Sequence, residues 1–344
     1  MTSGSALPTD SDLQTHGFEN SPTSRVNLKL ETRNSKLETR NLKLETAFTV
    51  ELRGIRKTFD HFVAVDRLSL TIREGSVYGL LGPNGAGKTS TIRMMIGITM
   101  PDEGDVRLFG QPFHREQLSR IGYLPEERGL YKRMKVLDHL IFLGRLRNLS
   151  EQEARKRSLD WCERLQIADW ENKKVEELSK GMQQKIQFIA TLLHDPALVI
   201  MDEPFSGLDP ANAVMLKDVL IKLKKAGKTI LFSTHRMDQV ERLCESICLI
   251  DHGRAVLEGD LKKIKASYGK NHVQMQYEGD PHLEDCELIE SFNNYGNYVE
   301  ARLKPGADPQ ALLRMTAERA RISRFELLEP SLEEIFIDQV RKHA

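Results

Sequence analysis

The glycine-rich octapeptide Gly82–Thr89, with the sequence GPNGAGKT, constrains this chain more than any other feature. It follows a short apolar run, Val77–Leu81, and precedes an expected helix that begins near Thr89. Glycines let main-chain N–H groups turn toward phosphate oxygens, and a helix start adds the positive end of its dipole. In this pattern Lys88 reaches the β- and γ-phosphates and the Thr89 hydroxyl binds Mg²⁺. The residues expected at the nucleotide are Gly82, Pro83, Asn84, Gly85, Ala86, Gly87, Lys88, Thr89 and Ser90.

A second apolar run ends in two acids. The segment Leu198–Glu203 reads LVIMDE, which predicts a buried strand with carboxylates at its carboxyl end. The Asp202 carboxylate is placed to hold Mg²⁺, directly or through water. The Glu203 carboxylate can face an attacking water as general base. On its own the pair could be ordinary strand-end solvation, but the phosphate-binding loop upstream favours catalysis.

A third segment, Leu178–Gln184, reads LSKGMQQ and opens a helix at Ser179 and Gly181. A hydroxyl and free main-chain N–H groups can meet a phosphate there. The chain already holds its own phosphates at Gly82–Thr89. A second phosphate-binding helix start therefore makes sense if it serves the nucleotide of a neighbouring subunit.

With these motifs in this order, the chain resembles the ABC ATPases, specifically the nucleotide-binding subunits of bacterial ABC transporters, over about residues 48–265. Other segments match the same family. They are a Q-loop region at Ile121–Glu126, a D-loop at Ser206–Asp209 and a switch histidine in Ser233–His235. The fold implied is α/β: a P-loop NTPase core of the ABC type with an inserted helical subdomain at about residues 130–195, plus a small C-terminal α+β domain.

The resemblance also implies roles for single residues. It makes Glu203 the general base, places Lys88 and His235 at the γ-phosphate, and lets Asp209 link two sites. It gives Phe59 the adenine-stacking position. The signature residues expected at the partner's nucleotide are Ser179, Lys180, Gly181, Met182 and Gln183. The expected Mg²⁺ ligands are Thr89, Asp202 and Glu126.

Three positions depart from the usual family pattern. The signature has Lys180 in place of glycine and Met182 in place of glutamine, and the Q-loop has Glu126 in place of glutamine. An ionised glutamate only accepts hydrogen bonds and adds negative charge near Mg²⁺. We hypothesise that Glu126 still binds Mg²⁺ or its water and couples the site to a membrane partner. The alternative is a surface acid that merely adjoins Glu127.

The regions on either side of the core at residues 48–268 differ from it in residue composition and in the pattern of expected elements. Residues 271–344 predict a small α+β domain that looks like the appendage of the sodium-extrusion (Nat-type) transporter subunits. Residues 1–47 are polar and carry three heptapeptide copies, starting at Asn27, Asn34 and Asn41. Their apolar positions do not form a coiled-coil seam. We expect a disordered leader that ATPase activity does not need; a short docking segment is the alternative.

Charge and hydropathy bear on the partners. The chain has 50 Lys+Arg and 50 Asp+Glu, so bulk charge does not attract nucleic acid, and none is expected as a partner. It has no apolar run near the roughly 18 residues of a membrane span. The resemblance therefore implies an ATP- and Mg²⁺-dependent ATPase that powers a separate integral membrane permease, with export as the expected direction. It implies a homodimer or heterodimer of ATPase subunits at the cytoplasmic face of the inner or plasma membrane.

Two alternatives remain open from the residues alone. The segment Arg128–Met134 is expected to meet the permease, although ordinary packing is the other interpretation. A soluble, non-transport ABC ATPase acting on ribosomes or DNA is the rival function. The single cassette and the zero net charge argue against that rival.

Overall fold

The computed structural model of the chain describes residues 47–127 and 129–343. The predicted leader, apart from its last residue, lies outside the described residues together with its heptapeptide repeats, and so does Arg128.

An antiparallel sheet of four strands comes first along the described chain. Side by side, its strands are β2 (Phe62–Arg73), β1 (Phe48–Phe59), β4 (Glu103–Leu108) and β5 (Gln111–Pro112). Its buried side chains, such as Val50 and Leu70, share one core cluster with Leu80 and Ile200 of the central sheet. The β1–β2 hairpin thereby comes to lie against the phosphate-binding loop.

The central sheet has six strands. In spatial order they are β10 (Arg254–Asp260), β9 (Ser246–Asp251), β3 (Val77–Leu81), β8 (Thr229–Thr234), β7 (Leu198–Asp202) and β6 (Ile121–Leu124). All neighbours are parallel except β9 and β10. Strands β3, β7 and β8 are buried at every residue, as parallel strands covered on both faces are. Their carboxyl ends meet at one edge, which confirms the predicted α/β core.

Helices connect these strands. They are α1 (Lys88–Met95), α2 (Val136–Leu146), α3 (Glu151–Arg164), α4 (Lys180–Leu192), α5 (Pro210–Lys225), α6 (Met237–Leu243) and α7 (Leu261–Tyr268). Helices α2, α3 and α4 all lie between β6 and β7, in the stretch predicted to be helical. Among the helices of residues 47–127 and 129–343, none combines the length and the apolar character that a membrane crossing requires.

The C-terminal part contains a second antiparallel sheet. Its strands, in spatial order, are β12 (Ile289–Asn294), β13 (Val299–Leu303), β11 (His272–Gly279) and β14 (Ala320–Leu328), with helices α8 (Pro309–Ala317) and α9 (Leu332–His343). Helix α9 packs back against the central sheet, because Leu332 and Ile335 are buried in the same cluster as residues of β7 and β8. The main-chain N–H of Leu332 also donates to Glu241 on α6 over 2.6 Å.

One buried histidine makes the fold sensitive to acid. His139 on α2 is fully buried, and neither of its ring nitrogens has a hydrogen-bond partner among the described residues. Burial lowers the pKa of His139 from 6.5 to about 4. Between these values the unfolded chain binds a proton that the folded chain does not, so the free energy of unfolding falls as the pH drops through this window.

We therefore expect His139→Leu to stabilise the protein, because it removes an unpaired polar group whose burial costs about 1–3 kcal/mol of folding free energy. The advantage over the wild type should grow by about 2 kcal/mol between pH 7 and pH 5. Urea unfolding at both pH values measures it, with the exposed His61→Gln as control. An advantage for His139→Leu that does not change with pH would contradict the explanation.

Candidate active site

The phosphate-binding loop is held in place by close backbone approaches at two glycines. A Cβ atom on Gly82 (φ +151°) would lie 2.2 Å from the Ile250 carbonyl oxygen, and one on Gly87 (φ +105°) would lie 2.4 Å from that of Ala64. Only glycine fits at these positions. The loop borders a cavity of about 320 Å³. Its lining comprises Phe62, Ala64, Asn84, Gly85, Gly87, Lys88, Thr89, Ser90, Glu126, Asp202 and Glu203.

Lys88 is buried at the base of this cavity and is turned back onto its own loop. Its Nζ donates to the carbonyl oxygens of Gly82, over 2.8 Å, and Pro83, over 3.0 Å. The same Nζ lies 3.9 Å from Oε1 of Glu203. Burial lowers the pKa of Lys88, and the nearby carboxylates oppose that shift. The two carbonyl oxygens use two of the three N–H donors of the ammonium, so one donor remains for a phosphate oxygen.

Thr89 and Asp202 place two oxygen ligands side by side. The Thr89 hydroxyl donates to Oδ2 of Asp202 over 2.7 Å. The Ser233 hydroxyl donates to Oδ1 of the same carboxylate, because β7 and β8 pair Asp202 with Ser233. Hard oxygen donors of this kind, few in number and next to a phosphate cavity, fit Mg²⁺, which keeps waters and phosphate oxygens as its other ligands.

Glu203 directly follows β7 in a left-handed conformation (φ +48°), which is unusual for a residue with a side chain. Strain of this kind amounts to roughly 1–3 kcal/mol and persists only where neighbouring bonds hold it. The carboxylate accepts bonds from the Thr234 hydroxyl over 3.1 Å, from the His235 main-chain N–H over 3.0 Å, and from His235 Nδ1 over 2.8 Å. Only 8% of the Glu203 side chain is exposed. The expected base and the expected switch histidine are therefore one hydrogen-bonded unit.

Glu126 lies just past β6 and borders two cavities. One is the cavity of the phosphate-binding loop, and the other, of about 370 Å³, also takes in Asp202, Glu203 and Lys180. Glu126 and Lys180, the two charged residues that replace the usual family residues, thus line the same cavity. Nothing in the sequence pattern placed them together, because they lie 54 positions apart along the chain.

The signature segment forms the start of α4. Ser179 is its exposed N-cap and accepts a bond from the Met182 main-chain N–H over 3.3 Å. Gly181 lies beside the D-loop, since a Cβ atom there would be 3.1 Å from Nδ2 of Asn212 and 3.8 Å from Oδ2 of Asp209. Asp209 is itself the exposed N-cap of α5.

Two of the five signature residues turn inward. The Met182 side chain packs against the main core cluster. The Gln183 carboxamide donates to the carbonyl oxygens of Val175, over 3.3 Å, and Leu178, over 3.1 Å. These side chains support the segment from within their own chain, while Ser179 and Lys180 are exposed.

The aromatic side of the cavity holds a residue that sequence reasoning missed. Phe62 lines the cavity, whereas the expected Phe59 does not appear in its lining. The register of the hairpin pairs Phe59 with Phe62, and the two are 46% and 63% exposed. Hairpin register, which the sequence did not reveal, is the signal that could have found Phe62.

A parallel sheet whose strand ends carry a phosphate-binding loop, a Thr–Asp oxygen pair and a glutamate–histidine unit defines a P-loop nucleotide hydrolase. The family described as "ABC transporter" matches residues 65–206, and the family "ATP-binding protein DrrA1-3-like, C-terminal domain" matches residues 259–340. The chain belongs to the ATP-binding subunits of ABC transporters, which confirms the resemblance seen in the sequence. It is accordingly an ATPase with the fold of that family.

The known relatives support this assignment along most of the chain. The ABC transporter ATP-binding protein YhaQ of Bacillus subtilis is 48% identical over 83% of this chain and 96% of its own length. Nod factor export ATP-binding protein I of Rhizobium sp. is 33% identical over 84% of this chain and 95% of its own length. A dimeric ATP-binding cassette in a post-hydrolysis state, bound to ADP and phosphate, superimposes with a TM-score of 0.57 at 25% identity, covering 62% of this chain and 98% of its own.

Proposed function

We propose that two such chains, or this chain and a related one, enclose two ATP molecules head to tail and power a separate export permease at the cytoplasmic face of the membrane. Glu203 is buried and hydrogen-bonded to His235 of its own chain, whereas Ser179 is exposed at the start of a helix. This contrast is the observation that carries the proposal. A phosphate donor that its own chain leaves uncovered fits a neighbour's nucleotide. The dimeric relative and the Nod factor export relative support the assembly and the direction.

In the proposed mechanism the ATP triphosphate lies along the phosphate-binding loop, and Lys88 donates to its phosphate oxygens. Glu203 accepts a proton from water as the water oxygen bonds to the γ-phosphorus, and the bond to the bridging oxygen breaks. His235 holds the Glu203 carboxylate in place through Nδ1. Loss of the γ-phosphate removes a ligand that favours the closed dimer, so the dimer opens.

Thr89, Asp202 and Glu126 would hold Mg²⁺. When bound, the ion neutralises charge on the β- and γ-phosphate oxygens. The direct Thr89–Asp202 bond, which places a hydroxyl and a carboxylate oxygen 2.7 Å apart, supports this proposal. The roles of these three residues are part of the proposal.

Glu126→Gln should raise the Mg²⁺ concentration for half-maximal hydrolysis by about five-fold, because the variant loses one negative ligand near the cation. A Mg²⁺ titration of ATPase rate at saturating ATP measures it. The neighbouring, exposed Glu127 lines neither cavity, so Glu127→Gln is the matched control. An unchanged titration in Glu126→Gln would leave Glu126 as a surface acid.

We propose that Phe59 and Phe62 together form the aromatic edge that receives the adenine base. Both side chains are exposed at the end of one hairpin, and Phe62 already borders the phosphate cavity. Lys57 Nζ lies 5.6 Å from the centre of the Phe59 ring and steadies that ring through a cation–π contact.

The permease is proposed to dock on exposed apolar side chains near the start of the helical block. Tyr131, 54% exposed, meets Phe142 on α2 edge-to-face at 5.6 Å between ring centres, and Leu146 follows one turn later at 63% exposure. Apolar surface of this kind favours a covered interface. Tyr131 also belongs to the segment that the sequence assigned to the permease.

Tyr131→Glu should abolish co-purification with the membrane subunit from detergent-solubilised membranes while the free chain keeps its basal ATPase rate, because a charge would be buried in the proposed interface. The matched control is Tyr295→Glu, which alters a tyrosine of the C-terminal part with 52% exposure. Equal recovery of the permease with both variants would contradict docking at Tyr131.

A further inference from the structure

Gln187, in the middle of α4, is hydrogen-bonded through its side chain to the backbone of the Q-loop. Its side chain is buried, with 7% exposure. The carboxamide Nε2 donates to the Pro125 carbonyl oxygen over 3.0 Å and to the Glu127 carbonyl oxygen over 3.1 Å. These are the two carbonyls on either side of Glu126. Both N–H donors of one carboxamide are thereby used to fix the backbone that carries Glu126.

The same helix also reaches the backbone next to the base. Gln184, one turn before Gln187, donates through Nε2 to the Pro204 carbonyl oxygen over 2.6 Å. Pro204 directly follows Glu203. Helix α4 therefore contacts the loops on both sides of the 370 Å³ cavity, and both glutamines line that cavity.

The other end of α4 is Ser179, which is exposed. Gln187 follows eight residues later, about 12 Å along a helix that rises 1.5 Å per residue. Because a helix of this length moves as one body, a displacement of Ser179 would also move the Gln187 carboxamide.

We propose that Gln187 is a positioning residue for Glu126, and that it couples the Ser179 end of α4 to the Mg²⁺ ligands of the same chain. The proposal rests on the proposed function, which places Ser179 at the neighbour's nucleotide. Closure of the dimer on one nucleotide then sets the Q-loop glutamate of the other site through two main-chain hydrogen bonds. The Gln187 carboxamide donates to main-chain carbonyls next to Glu126, so its proposed role is to position Glu126.

We expect Gln187→Leu to change the free energy of unfolding only slightly, so a positioning role can be distinguished from a role in folding. The Glu127 residue is exposed and Pro125 is half-buried, so water can replace the lost donors. Loss of the carboxamide leaves the Q-loop backbone free to move while the helix remains packed.

The test compares Gln187→Leu with Thr191→Val in the full-length chain. Thr191 lies one turn further along α4, is also buried, and its hydroxyl donates to the Tyr123 and Gln187 carbonyl oxygens. Hydrogen–deuterium exchange of the nucleotide-free chain reads out the Q-loop directly. We expect Gln187→Leu to speed exchange about ten-fold at the Gly129 amide, whose N–H donates over 3.1 Å to the same Glu127 carbonyl oxygen that Gln187 holds.

In kinetics, a positioning role should change kcat and the Mg²⁺ requirement but not KM for ATP. Gln187→Leu should raise the Mg²⁺ requirement and lower kcat about ten-fold with KM for ATP unchanged, because a misplaced ligand acts after nucleotide binding. Thr191→Val should change none of these. In the double variant with Glu126→Gln, Gln187→Leu should add nothing further to the Mg²⁺ requirement.

Unchanged exchange in Gln187→Leu overturns the positioning role, whatever the enzyme does. Additive Mg²⁺ effects in the double variant overturn action through Glu126. Failure of the proposed function shows itself differently, as normal hydrolysis by a chain that stays monomeric with ATP. The exchange measurement, made without nucleotide, does not depend on that result.

Discussion

Glu203→Gln should lower kcat for ATP hydrolysis by about 10²–10⁴-fold, since the carboxamide cannot take a proton from water. The substitution suits the site. The amide oxygen can keep the two bonds from His235, and the amide NH₂ can donate to the Thr234 hydroxyl, which accepts as readily as it donates. The fold around the left-handed backbone of Glu203 should therefore persist, and ATP should still bind.

Retained binding without turnover should trap a dimer. We expect Glu203→Gln to give a long-lived dimer with MgATP in light scattering or gel filtration and a monomer with MgADP. The wild type under the same conditions is the control, because it consumes ATP and the dimer decays. A Glu203→Gln chain that turns over ATP at the normal rate as a monomer would contradict the assigned base.

Ser179→Asp should abolish ATP-driven dimerisation and reduce hydrolysis at least about 100-fold, the scale of losing one donor to a developing phosphate charge. The position allows a clean design, because Ser179 is an N-cap and aspartate caps helices as well as serine does. Stability should stay near that of the wild type. The added carboxylate would instead repel the neighbour's γ-phosphate.

Ser179→Asn is the matched control, since it keeps the cap without the charge. It should retain most of the dimerisation that Ser179→Asp loses, while all three chains bind a fluorescent ATP analogue alike as monomers. If Ser179→Asp dimerises and hydrolyses normally, the helix start does not face a nucleotide.

Local sequence predicted the elements whose patterns are strongest. The apolar run Val77–Leu81 forms strand β3 with the same bounds, and the apolar run that ends in two acids forms strand β7 over Leu198–Asp202. Apolar runs and N-caps act over a few residues, so they are visible without the fold. Strand β12 (IESFNN) and helix α7 (LKKIKASY) were missed. Polar residues dominate β12, and its pairing with the adjacent β13 defines it. Helix α7 is short, and its N-cap Asp260 is also the last residue of β10.

For the site as well, local sequence predicted some features and not others. The glycine-rich octapeptide and the acidic end of the second apolar run located Lys88, Thr89, Asp202 and Glu203, which the structure brings around one cavity. The bonds that hold them were not predictable, such as Lys88 on its own loop carbonyls or Gln187 beneath the Q-loop. Those contacts depend on the register of β6, β7 and β8 and on where α4 docks, and both are settled only by tertiary packing.

Mixing two inactive variants tests most directly whether the reaction centre is shared between chains. In the proposed dimer, Lys88→Ala removes the lysine expected at the phosphates of its own site, and Ser179→Asp impairs only the site of its neighbour. A mixed dimer regains one site with both wild-type halves. Because only mixed dimers hold an intact site, one of their two, an equimolar mixture should recover up to about half of wild-type ATPase activity. A mixture no more active than its two components measured separately would contradict a composite site.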